Sequence, residues 1–142
     1  WAFQNNSFTD NLVIPNSVET IGDNAFQNAG FTVALILGWP YDSSLQTIGS
    51  NAFAGNGFQD NLLTIPASVT SVGKEAFAGW AALESVSVYP ETPPTATGEA
   101  PYDFFKGSTL DGGSGAIQAV APALKADYEN APGWDVYMIE QN

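Results

Sequence analysis

The chain has no cysteine, no histidine and no arginine. Each absence closes off a class of chemistry. Without Cys there are neither disulfides nor thiolate metal sites, and thiol usage says nothing about the compartment. Without His the usual Ser–His nucleophile pairs cannot be assembled, and the commonest metal ligand is missing. Without Arg, the only cations are Lys74, Lys106 and Lys125, set against 15 acidic residues, so the formal net charge is -12. A surface this negative repels polyanions, which argues against nucleic-acid binding and against anionic membranes alike. Nowhere is there an apolar run of membrane-spanning length, and Trp1-Ala2-Phe3 lacks the basic and apolar regions of a signal peptide.

What is present has a clear bias. Apolar residues make up 44% of the 142, enough for a continuous core of one domain, while charged residues reach only 13%. Polarity comes instead from Asn, Ser, Thr, Gln and Gly. These suit tight turns and side-chain ladders between stacked strands better than charge-laced helices.

Laid against itself, the chain shows one decamer three times: Ser17-Val-Glu-Thr-Ile-Gly-Asp-Asn-Ala-Phe26, Ser44-Leu-Gln-Thr-Ile-Gly-Ser-Asn-Ala-Phe53 and Ser68-Val-Thr-Ser-Val-Gly-Lys-Glu-Ala-Phe77. A fourth copy survives as Ala2-Phe3. The Ala-Phe pairs begin at 2, 25, 52 and 76, in steps of 23, 27 and 24 residues, within the period of about 20–29 residues of leucine-rich repeats. Upstream, Ile14-Pro15 and Ile65-Pro66 each close an apolar stretch. Pro ends a strand without leaving an unpaired donor, so Leu12 to Ile14 and Leu62 to Ile65 read as short strands. Ile21, Ile48 and Val72 then precede a Gly, consistent with a bend into a second short extended segment, and Phe26, Phe53 and Phe77 are expected to stack coil on coil as the core column.

The expected architecture is β-rich α/β: a right-handed solenoid of about three and a half coils over residues 1–90, with one sheet of short parallel strands and turns or single helical turns opposite. Residues 91–142 are expected to form a closing segment of the same structural unit. In it, Glu91-Thr-Pro-Pro94 reads as a linker, Asp111-Gly-Gly-Ser-Gly115 as a turn, and Pro122 to Asn130 as a short helix ended by Pro132-Gly133. At the other end, Phe3 and Phe8 have no preceding coil to stack on, which suggests further repeats upstream or self-association through that coil.

The pattern Ile-Pro-x-Ser-Val-x-Thr-Ile-Gly-x-x-Ala-Phe resembles the BspA-like, Treponema pallidum-type leucine-rich repeat, from about Ala2 to Pro90. Beyond it, Pro93-Pro94, Ala121-Pro122-Ala-Leu-Lys-Ala-Asp-Tyr128 and Ala131-Pro-Gly-Trp134 resemble the closing segment that often follows such repeats. The resemblance implies a secreted or cell-surface bacterial protein, extracellular, adhesin-like, binding a protein or glycan on a host or neighbouring cell, with no catalytic residues and no cofactor. The chain departs from the family where Cys commonly follows Ala-Phe, since Asn6, Ala29, Asn56 and Trp80 take that place.

Individual candidates are few. Trp39-Pro40-Tyr41 lies in about four extra residues of the second repeat, so Trp39 and Tyr41 are expected on a projecting loop as partner-binding side chains, the alternative being that Trp39 folds back as a local lid. A structural spacer presenting an upstream domain is the alternative. A carbohydrate-active enzyme would need only two carboxylates flanking a sugar, but Asp10, Asp23, Asp60, Glu75 and Glu84 fall at turns, where solvated polar residues belong anyway. Asp10-Asn11, Asp23-Asn24 and Asp60-Asn61 lack the spacing of known calcium loops and read as turn caps, so no metal site is expected. Trp80, Trp134 and Tyr137 read as core or cap residues.

Overall fold

The computed structural model describes residues 2–111, 115–119, 125–137 and 139–141. Along the chain it forms β1 (Leu12–Val13), β2 (Thr20–Ile21), β3 (Leu35–Ile36), β4 (Thr47–Ile48), β5 (Leu62–Ile65), β6 (Ser71–Gly73), β7 (Ser85–Val88), β8 (Thr95–Thr97), β9 (Ala116–Ala119), α1 (Lys125–Glu129) and β10 (Ile139–Gln141). Every strand pair is parallel. The solenoid makes about five turns rather than three and a half.

Each coil supplies two strands, not one. The segment ending in Ile21, Ile48 and Val72 forms its own ladder, β2–β4–β6–β8, in which these three residues and Ala96 stand in register. The first strands form a second ladder, β5–β7–β9–β10, preceded by the pair β1–β3. In place of the single sheet expected from sequence there are two ladders, the first of them broken between β3 and β5. The Gly that follows Ile21, Ile48 and Val72 does not interrupt pairing. At Gly49 and Gly73 it is what the stacking needs, because a Cβ on Gly73 would stand 2.3 Å from Ser50 N and one on Gly49 2.5 Å from Asp23 N.

Between the sheets lies one continuous core. Leu63, Val86, Ile117 and Ile139 align across the first ladder, and all are buried. Along one edge the rings of Phe3, Phe26, Phe53, Phe77 and Phe105 stack at 5.1 to 5.6 Å between centroids, with planes within 14°. The expected Phe column is thus present and is longer by a ring at each end. A second column runs Phe8–Phe31–Phe58–Trp80.

The aromatic corner is a turn of an alternating kind. Asn24, Phe26 and Asn28 donate their N–H to Ser50, Ala52 and Ala54 of the next coil at 2.8 to 2.9 Å, while Ala25, Gln27 and Ala29 bond back three residues within the turn. The same scheme recurs from Asn51 and from Glu75. It requires left-handed backbone just before the Ala-Phe pair, at Asn24, Asn51 and Glu75, or before Phe104-Phe105, at Asp103, and two residues after the Phe of the column, at Asn28, Gly55, Gly79 and Gly107. Asn and Gly occupy six of these eight places because they reach that region most cheaply. Inside the second column Asn56 is a buried staple: its Oδ1 accepts from Phe31 N, and its Nδ2 donates to Phe26 O and Phe53 O.

The sheets run on past Pro90. β8 pairs with β6, β9 with β7, and Phe105 takes the Phe place above Phe77 although no decamer marks it. Trp134 and Tyr137 are buried there, as is Tyr128. Indole N–H groups of Trp134 and Trp80 donate to Pro94 O and Asp60 O, both at 2.8 Å, so their polar edges are satisfied inside. The helix spans Lys125–Glu129; its expected start at Pro122 lies outside the described residues, as does the centre of the Asp111–Gly115 turn.

Candidate binding groove

Strand alternation decides what each sheet shows to solvent. In β5, Leu63 and Ile65 point inward, so Leu62 points out and Thr64 is half-buried. The same logic turns Val13 and Ile36 outward; they stand opposite each other in the β1–β3 register. Val13, Ile36 and Leu62 are about half exposed, an apolar stripe on the outer face of the first ladder. The equivalent outer positions of the second ladder are Thr20, Thr47, Ser71 and Thr95, with the Ser71 hydroxyl donating to Thr47 Oγ1.

A groove forms beside the stripe because the ladder lapses there. β3 lies against β5 without pairing to it, and the extra residues of the second repeat stand over the gap. The inserted loop is fixed at both ends. Trp39 N–H donates to Asn16 Oδ1 of the preceding coil at 3.1 Å, and Ala67 N–H of the following coil donates to Pro40 O at 2.8 Å. Gly38 turns the chain at φ 79°, with Asn16 Oδ1 so close that a Cβ would meet it at 2.6 Å. The result is an open groove of about 770 Å³, floored by Val13, Ile36 and Leu62 and walled by Trp39, Pro40 and Asp60.

Trp39 projects outward, 72% exposed, and does not fold back as a lid. Tyr41, 75% exposed, leaves the loop on the other side, where its ring meets Tyr89 edge-on at 5.1 Å beside Pro90. The two aromatic residues expected to act together therefore face separate surfaces, and only Trp39 belongs to the groove. Tyr89 and the aliphatic floor were missed in the sequence. The floor had a signal: the middle residue of Leu12-Val13-Ile14 and of Leu35-Ile36-Leu37 must point away from its neighbours.

Charge on this face is of one sign. Asp60 lines the groove, and Glu84 and Glu140 flank a shallower depression further along the same ladder. Their carboxylates accept from Asn61 and Gln118 side-chain amides. Lys106 pairs with Glu75 and Lys125 with Glu129, away from the groove, and Lys74 follows β6 on the second ladder. Among the described residues no three His, Cys, Asp or Glu side chains converge closely enough to hold a metal ion, and no helix is long and apolar enough to cross a membrane. Of the Asp-Asn pairs, Asp10 Oδ1 accepts from Asn11 N next to it, and Asp23 Oδ1 accepts from Ser50 N one coil on.

The family model described as the BspA type leucine rich repeat region matches residues 1–98, in 6 copies. No curated protein matches the chain.

Proposed function

Given that the chain belongs to the BspA-type leucine-rich repeat family, we propose that it is an adhesin-like binding module, secreted or displayed at the bacterial cell surface, that holds a protein or glycan partner without performing catalysis. Proteins of this family are usually surface or secreted, and leucine-rich repeats are typically non-catalytic. One observation carries the reading. A solenoid that buries most of its large apolar side chains leaves an aliphatic groove open beneath an exposed tryptophan, and contiguous apolar surface of this kind marks interaction sites. Tyr41 with Tyr89 offers a second, smaller contact area on the neighbouring surface.

The test is an array of matrix proteins and glycans probed with the native chain, Trp39→Ala and Tyr41→Ala. Binding that falls in either variant supports the reading. Empty arrays of both kinds favour the alternative, a structural spacer that presents another domain. Hydrolysis of a glycan on the array would instead point to the carboxylates.

A further inference from the structure

The groove's chemistry narrows the partner class. Building on the binding reading above, we propose that the groove takes a segment of polypeptide that carries both apolar side chains and lysine or arginine, rather than a glycan.

Three features of the groove support the choice. Its floor is aliphatic: Val13, Ile36 and Leu62 offer surface that gains from covering by other apolar groups and offers nothing to a hydroxyl. A sugar laid on this floor would lose water from its hydroxyls without replacement, at a cost of about 1–3 kcal/mol for each group left unsatisfied. Of the polar side chains in the lining, Asn16 already has its Oδ1 engaged by Trp39 N–H, and Thr64 is half-buried in its strand. Trp39 alone could stack on a sugar ring, but it stands equally ready for an apolar side chain or a cation over its face.

The second feature is charge. Asp60 lines the groove, and Glu84 and Glu140 flank the next depression along the ladder. No lysine lines either depression, on a chain whose net charge is -12. A neutral glycan would draw nothing from this field, whereas a basic segment would be steered into it. The third is geometry. The outer residues of parallel strands recur along the ladder from rung to rung, about 4.8 Å apart, so the apolar stripe of Val13, Ile36 and Leu62 leads along the ladder towards the depression flanked by Glu84 and Glu140, a run that suits an extended chain.

The test uses the full chain and four probes: a short peptide alternating lysine with leucine and valine, the same peptide with glutamate for lysine, the same with serine for the apolar residues, and cellohexaose. Binding is followed by tryptophan emission and calorimetry at low and high salt. The lysine–leucine peptide should bind, weaken as salt rises, and lose about tenfold or more in affinity, equivalent to about 1.4 kcal/mol, in Trp39→Ala, in Leu62→Thr and in the double variant Asp60→Asn with Glu84→Gln. Thr20→Ala, on the second ladder, should bind as the native chain does. Equal binding of the serine peptide would reduce the effect to unspecific charge attraction and overturn the proposal. So would binding of cellohexaose alone, or no binding of any probe. In the cellohexaose case the binding function stands with a different partner; if nothing binds, the protein and glycan arrays decide separately whether that function survives.

Discussion

The aromatic corner and the outer face of the first ladder belong to the same coils but obey different constraints. At the corner, coils touch through backbone and stacked rings, and the residues repeat: Phe26, Phe53, Phe77, with Asn or Gly wherever the backbone turns left-handed. On the outer face, side chains meet water, and the repeat dissolves: Val13, Ile36 and Leu62 give way to Ser85 and Ser87 and then to Gln118 and Glu140. Repetition is enforced where neighbouring coils share contacts, since a lone repeat cannot bury its own apolar face. Where no coil depends on the residue, the surface is free to specialise.

The sharpest form of this contrast is a truncation inside the column. Phe53 lies between Phe26 and Phe77, each 5.6 Å away, and is 2% exposed. Phe53→Ala should lower stability by about 3–5 kcal/mol, read as a shifted midpoint in urea unfolding. Phe3 has one stacking neighbour on the described coils and is 44% exposed, so Phe3→Ala should cost only about 1 kcal/mol. Equal losses at the two positions would mean the rings do not act as a column.

Next in size is an alkaline effect at the far end of the same column. Phe105 N–H donates to the Tyr137 hydroxyl oxygen, and burial pushes that phenol up to about 12, opposed by this hydrogen bond and reinforced by Asp103 and Asp111. Burial also raises Tyr128, whose hydroxyl donates to Pro90 O. The unfolded chain releases these protons near the ordinary tyrosine value of 10, while the folded chain holds them. Stability is therefore complete below that value and falls as pH rises through it towards 12. The slope is about 1.4 kcal/mol per pH unit for each tyrosine. Thermal melts across this window should show it, and Tyr137→Phe should flatten it.

A third comparison uses one residue type at two places. A Cβ on Gly73 would meet Ser50 N at 2.3 Å, and backbone cannot step aside, whereas Gly22 has nothing within 4 Å. Gly73→Ala should destabilise by about 1–3 kcal/mol or more. Gly22→Ala should leave the melting temperature within error, and a loss as large as that at Gly73 would count against coil-on-coil contact as the reason for the glycine column.

How much of this was readable in the sequence follows the same division. The decamer revealed the Phe column and the core positions Ile21, Ile48 and Val72, because contacts between coils force the same residue to recur. The second ladder shows in the sequence only as a bend into a second short extended segment and not as a sheet of its own, since two-residue strands carry too little alternation to register. Phe105 escaped because its coil keeps the corner but has lost the Ser-Val-x-x-Ile-Gly lead. The loop around Trp39 showed as broken spacing. The separation of Trp39 from Tyr41, and the lapse between β3 and β5 that opens the groove, depend on how coils of unequal length are stacked, which periodicity does not encode.

A smaller gain is expected at a corner residue that breaks its own rule. Glu75 sits at φ 54° where Asn24 and Asn51 stand in earlier coils, and a side chain such as Glu raises the cost of this region by about 1–2 kcal/mol. Its carboxylate also accepts from Lys106 at 3.2 Å, but that lysine is mostly exposed and the pair contributes little. Glu75→Asn should therefore raise stability by about 0.5–1 kcal/mol, seen as a higher urea midpoint with unchanged slope. A loss would show that the ion pair outweighs the backbone strain.

The smallest effect on stability falls on the outer face, and it bears most directly on why the groove exists. Ile36→Thr keeps the β-branched shape that a strand favours, and removes apolar surface from a side chain already 45% exposed. If the stripe served the fold, the change would unfold the protein measurably. If it serves a partner, stability should move by no more than about 0.5 kcal/mol, while binding at the groove weakens as it does for Trp39→Ala. The second ladder already has Thr20, Thr47 and Thr95 at the corresponding outer positions, so threonine there is compatible with a stable rung. The comparison therefore turns on a single variant, in which an unchanged melt with lost binding assigns the apolar stripe to recognition and not to the architecture.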